Sequence, residues 1–275
     1  RLSFFSFGLL IALLGNQVFF KRMTTAMANY GLFLTQISTL IYVPIFAMLA
    51  GTEAVHNAKP ALLAKFAVMG FFDGLSGTMY LLGGMHTSGI MQVLLSQAMI
   101  PSTIMLSAVL LRKRYHLLQQ TGAGIIVVGI VAAKAMSGAS GDSGNEVVFN
   151  SILFLGVMAN AASSVFKEVA FKGFDGDLNV YVLQFWVSVF QVVTNFLMMP
   201  IYTLPMLGPQ QVLLERVPAL MTGGSRCLFL LEDQVKMNCG VADEHVCDHC
   251  ATAWIPVLGH LIFNILCNIF AVLVI

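Results

Sequence analysis

Residues 32–50 read LFLTQISTLIYVPIFAMLA, nineteen positions without an Asp, Glu, Lys or Arg. A helix that crosses the hydrocarbon core of a bilayer needs about 20 mostly apolar residues, since each residue advances it by only about 1.5 Å. A strand of a membrane barrel would be about 10 residues long and would alternate apolar with polar positions. This run is too long and too continuously apolar for such a strand, so it reads as a membrane-spanning helix.

The same pattern extends along the chain in both directions. Residues 4–20 form an earlier run that stops at Lys21-Arg22, and Pro60 opens another that ends at Gly83-Gly84. Residues 90–111 precede the cluster Arg112-Lys113-Arg114, and residues 117–136 reach span length with Lys134 snorkelling at their end. Residues 147–166, 180–204 and 254–275 complete a set of eight spans. Composition agrees. Of 275 residues 58% are hydrophobic and only 10% charged, against about 25% charged in soluble domains. Such a chain could not wet the surface of a soluble fold, and it is too apolar to be disordered. A net charge of +1 gives no electrostatic case for nucleic acid. The expected class is an all-α polytopic bundle embedded in the bilayer. The chain opens at Arg1 just before a span and closes at Ile275 inside one, with no small-residue cleavage site after the first run. This reads as a fragment of a longer, transporter-sized protein.

One connection is unlike the others. Residues 205–253 are far longer than the usual interhelical loop, and they hold Cys227, Cys239, Cys247 and Cys250; Cys267 lies within the last span. The cluster fits disulfides, a zinc site in which His245 and His249 join the C-x-x-C of Cys247 and Cys250, or free thiols. An odd number of spans separates this loop from Arg112, Lys113 and Arg114, so the two lie on opposite sides. The positive-inside bias puts the basic cluster in the cytosol and the cysteine loop in a lumen or outside, with Lys21-Arg22 as the exception. Residues 210–217 have amphipathic spacing and fit a helix lying at the interface or an ordinary surface helix.

Ionisable and amide side chains inside spans are costly and mark pathways or helix contacts. Asp73 stands in the middle of the third span. Asn16 and Gln17 lie late in the first, and Gln92, Ser96 and Gln97 lie in the fourth beside Pro101. Gln184, Gln191, Thr194 and Asn195 form a stripe in the seventh, and His260, Asn264 and Asn268 form one in the eighth. Asn16, Gln17, Asp73, Gln92, Gln97, Gln184 and Asn264 are the candidate lining of a solute cavity, with Asp73 either facing a substrate amine or a coupled proton or serving as a buried structural acceptor. Lys167 and Glu168 close the sixth span and suit an interfacial or gating salt bridge and substrate contact equally. Gly74, Gly77, Gly124 and Gly129 suit close helix packing. The sequence contains no H-E-x-x-H, G-x-S-x-G or phosphate-cradling loop. The expectation is a non-enzyme without cofactor or metal: a gradient-driven transporter of small solutes. The alternatives are a membrane receptor or scaffold that binds through its cysteine loop and, more remotely, an intramembrane metalloenzyme.

Three stretches carry a family resemblance: LLRKRYHLLQQTGAGIIVVGI (110–130), VFKEVAFKGF (165–174) and MMPIYTLPML (198–207). They are similar to the chloroquine resistance transporter and chloroquine-resistance-like transporter family, as are the steps of 12, 8 and 3 between the loop cysteines. The resemblance implies ten helices in two inverted five-helix repeats around a central cavity. Residues 1–137 would hold the first repeat, and residues 146–275 three helices of the second. It implies pairing of Cys227 with Cys250 and of Cys239 with Cys247 in a lumenal loop. It places Asn16, Gln17, Asp73, Gln92 and Asn264 at the cavity. Implied substrates are amino acids, short peptides, glutathione-type thiols or drugs, moved by alternating access, with or without a coupled proton. The implied location is a vacuolar-type or plastid-envelope membrane. Two positions depart from the drug-related parasite members. Gln17 stands where they show a lysine or its replacement, and Cys267 where they show an acidic residue, which weakens the case for cationic-drug or proton-coupled transport.

Overall fold

The computed structural model describes residues 2–52, 60–138, 144–172, 179–229 and 249–274. Among them are ten α-helices and no strand. They are α1 (Leu2–Ala26), α2 (Gly31–Ala50), α3 (Pro60–Met85), α4 (Gly89–Ser96), α5 (Met99–Leu110), α6 (Leu117–Gly138), α7 (Gly144–Lys172), α8 (Val180–Leu197), α9 (Val217–Phe229) and α10 (Cys250–Val274). Among the described residues eight segments are long and apolar enough to cross a membrane, with α4 and α5 together forming one of them and α9 none. The chain is an integral multi-pass helical protein.

Two expected boundaries move. The first span does not stop at Lys21-Arg22, because α1 continues to Ala26. The Lys21 ammonium is satisfied by the carbonyl of Thr87 at 3.0 Å, so a cation one turn before the helix end does not break it. The fourth span, expected as one helix, is interrupted at Gln97-Ala98. Pro101 has no N–H to donate to the carbonyl four residues earlier. The chain tightens instead, with the Gln97 and Ala98 amides donating to Leu94 and Leu95 at 3.2 and 3.0 Å. Residues 210–217 are not one amphipathic helix. A 3-10 segment ends at Gln210, another spans Leu214–Arg216, and the true helix α9 starts at Val217.

α3 lies at the centre of the bundle, packed most closely on α7 and α8 and also touching α1 and α2. Between membrane helices, burial of apolar surface gives little net drive, and close packing decides. Gly83 of α3 meets the backbone of α7, where an added Cβ would sit 2.6 Å from the Leu153 nitrogen. α1 runs antiparallel to α10, with Gly15 against the Phe263 ring and Phe19 stacked on Phe263 at 5.5 Å between centroids. Gly74 fits the packing expectation, lying against Thr194. Gly124 and Gly129 do not: nothing stands within 4 Å of a Cβ at either. They sit on α6, which packs chiefly on α5 and leaves Ile125 and Val128 exposed.

Chain direction defines two ends. The His249 amide donates to the Ala26 carbonyl at 2.9 Å, so the start of α10 meets the end of α1. Cys227 of α9 and Cys250 of α10 are joined by a disulfide at this same end. Arg112, Lys113 and Arg114 are separated from it by the spans of α6, α7 and α8 and lie at the opposite end.

Candidate functional site

α3 and α7 cross with one ion pair between them. Lys167 Nζ donates to Asp73 Oδ2 at 2.9 Å, with the two side chains only 11% and 14% exposed. Successive helical residues point about 100° apart, so the neighbouring Glu168 faces elsewhere. It pairs with Lys113 from the segment after α5. The two adjacent charges of α7 thus tie it to two different parts of the bundle. Asp73 thus has a cationic partner inside the protein.

The candidate amides fall into separate groups. Asn264 Nδ2 faces Asn16 Oδ1 at 3.5 Å, Asn268 Nδ2 donates to Asn264 Oδ1 at 2.9 Å, and Gln184 Nε2 donates to the Asn268 carbonyl at 3.2 Å. Asn16, Asn264 and Gln184 therefore belong to one polar chain through α1, α10 and α8. Gln17 turns to α3 and exchanges hydrogen bonds with the Tyr80 hydroxyl at 3.1 and 3.2 Å. Gln92 is buried and donates to the carbonyls of Gly84 and Thr87, closing the end of α3. Gln97 is exposed at the break between α4 and α5.

A second polar group went unrecognised as a site in the sequence. Asn195 of α8 donates to Thr39 Oγ1 at 3.1 Å and accepts from Thr78 Oγ1 at 3.2 Å, while its carbonyl accepts from Gln36 Nε2 at 3.2 Å. One buried amide thus joins α2, α3 and α8. Close by, Thr35 and Tyr202 share a hydroxyl bond of 2.8 Å. The signal was present in the polar spacing of Gln191, Thr194 and Asn195, but hydroxyls that pair across helices have no sequence signature of their own. Among the described residues, Gln36 Oε1, Ser38 Oγ, Ser163 Oγ and His260 Nδ1 are buried without a hydrogen-bond partner.

Among the described residues no three His, Cys, Asp or Glu side chains gather as a metal site. Cys227 and Cys250 are committed to their disulfide. Cys239, Cys247 and His245 lie outside the described residues. Cys267 is a buried free thiol.

The family model described as "CRT-like, chloroquine-resistance transporter-like" matches residues 2–275. The chain belongs to the CRT-like family. A chloroquine resistance transporter of Toxoplasma gondii is 40% identical over 100% of this chain and 32% of its own length. Crt homolog 3 of Dictyostelium discoideum is 33% identical over 94% of this chain and 57% of its own. A chloroquine resistance transporter of Plasmodium vivax (strain Salvador I) is 30% identical over 92% and 61% respectively. This CRT-like chain therefore spans between about a third and three fifths of the length of these relatives.

Proposed function

We propose that this CRT-like chain forms most of the helical body of a gradient-driven transporter of small organic solutes, working by alternating access. The observation that carries the reading is the Asp73–Lys167 pair, two opposite charges held together inside a membrane-crossing bundle. Intramembrane charges are expensive and are characteristic of solute or proton pathways. A pair joining two helices can part when a solute or proton takes the place of one partner, and parting it frees α3 from α7. The chain of Asn16, Asn264, Asn268 and Gln184 supplies neutral donors and acceptors suited to amino-acid, peptide or thiol-peptide backbones. The names of the relatives support transport.

The pattern of helix neighbours supports two inverted repeats. Exchanging the first and sixth spans, the second and seventh, and the third and eighth turns the α1–α10 pair into the α7–α3 pair. The same exchange maps α2–α8 onto itself and α2–α3 onto α8–α10, which are also in contact, while the close α3–α8 pair maps onto α10 and α2, which do not pack closely. Residues 1–137 would then be one repeat and residues 146–275 part of the other. The basic cluster at Arg112, Lys113 and Arg114 supports a cytosolic location for that end, with the disulfide end in the lumen of a vacuolar-type or plastid compartment. The break beside Gln97 and Pro101 is the kind of unwound helix that solute sites use.

The test is uptake by the full-length protein in proteoliposomes, comparing amino acids, short peptides and glutathione at two pH gradients. Saturable uptake of one class, lost in Asp73→Asn at equal reconstitution, supports the reading. A full-length protein that binds ligand through the cysteine loop and moves no solute overturns it.

A further inference from the structure

At the disulfide end, α1 and α10 leave a cleft of about 420 Å³ between them. Its walls include Phe19, Ala26, Ile255 and Pro256, and its rim carries Lys21, Arg22 and His249. Among the described residues no acidic side chain lines it. The Arg22 guanidinium is exposed and makes no hydrogen bond or ion pair among the described residues, and Lys21 spends one donor on the Thr87 carbonyl. The cleft is also at interfacial depth. Trp254, half-exposed on the first turns of α10, is the residue type that settles at headgroup level, and Lys21-Arg22 lie in the last turns of α1.

An apolar wall under a cationic rim, at the edge of a membrane helix pair, matches one molecular shape. We propose that this cleft is a binding site for an anionic phospholipid. The phosphate sits between Lys21 and Arg22, with His249 beside it, and an acyl chain lies along Phe19 and Ile255. A soluble phosphate or carboxylate would use only the rim and leave the apolar walls in contact with water. A zwitterionic lipid would bring its own cation against Lys21 and Arg22. Anionic lipid bound here would pin the end of α1 to the start of α10, where the His249 amide already donates to the Ala26 carbonyl. The site is separate from the Asp73–Lys167 pair and does not depend on the transport reading.

The experiment is native mass spectrometry of the full-length protein, purified in detergent and supplied with equimolar phosphatidylglycerol and phosphatidylcholine. A basic side chain near a membrane surface favours anionic lipid by about fivefold. The wild-type protein is therefore expected to retain phosphatidylglycerol severalfold over phosphatidylcholine. Arg22→Gln should lower that preference about fivefold, Lys21→Arg should keep it, and Arg114→Gln at the opposite end should leave it unchanged. Gel filtration confirms that each variant is folded, and the charge-preserving Lys21→Arg distinguishes lost charge from lost fold. Equal retention of the two lipids, or a preference untouched by Arg22→Gln, overturns the proposal. Displacement of phosphatidylglycerol by millimolar inorganic phosphate alone also overturns it, since that result marks a soluble-anion site.

Discussion

Lys167 and Asp73 are 94 residues apart in sequence and 2.9 Å apart in space. The contact joins α3 to α7 through charges that are largely enclosed, so each ion has little water to fall back on. Removing one partner of such a pair leaves an uncompensated charge and costs about 3–5 kcal/mol, whereas replacing both with apolar groups is often nearly neutral. Lys167→Met alone should therefore lower the melting temperature of the purified protein markedly, and adding Asp73→Leu should restore most of the loss. The restored double variant should still fail to transport. A double variant no more stable than Lys167→Met would show that the two charges are not coupled.

The Lys113–Glu168 pair should behave differently. Its lysine is 36% exposed and its carboxylate 19%, and exposed pairs contribute about 0–1 kcal/mol. Reversing both charges, Lys113→Glu with Glu168→Lys, should leave melting temperature and uptake within about twofold of wild type. Loss of uptake at unchanged stability would instead assign this pair a gating role.

Asn195 offers a test of the polar joint between α2, α3 and α8. Asn195→Leu removes its side-chain bonds to Thr39 and Thr78 while the Gln36 bond to its carbonyl can persist. Interhelical hydrogen bonds in membranes contribute about 0.6 kcal/mol on average and up to about 1.7, so the expected loss is about 1–3 kcal/mol. Gln97→Leu, at an exposed position, should change stability by less than about 0.5 kcal/mol. Thermal unfolding of both variants checks the contrast.

These groups show where the sequence was readable. Span-length apolar runs are a one-dimensional property, so eight crossings could be read from residues 4–275 without a fold. Asp73 was conspicuous because a carboxylate in such a run is costly wherever it points. Its partner was not legible, since Lys167 lies on a distant helix and sits beside a second charge with equal claim to it. Asn195 was visible as a polar residue but not as a junction, because its partners are threonines that are common in any span. The break at Gln97-Ala98 had its cause in view, Pro101, yet prolines at Pro44 and Pro256 sit within helices that continue. Helix α9 lay in the long loop, where the amphipathic spacing pointed to residues 210–217 rather than to Val217–Phe229.

The disulfide joins two cysteines 23 positions apart, Cys227 and Cys250. Closing a loop of this size stabilises by about 3 kcal/mol through the restricted unfolded chain. Cys227→Ser with Cys250→Ser should lower stability by that order, and non-reducing peptide mapping of the wild-type protein should recover the two cysteines in one cross-linked fragment.

The most direct test of the account is solute uptake by full-length Asp73→Asn in proteoliposomes, with reconstituted protein matched to wild type. The account predicts uptake reduced at least tenfold in a correctly folded protein. Wild-type uptake by Asp73→Asn would contradict it, leaving the Asp73–Lys167 pair as a structural tie and the transport pathway elsewhere in the bundle.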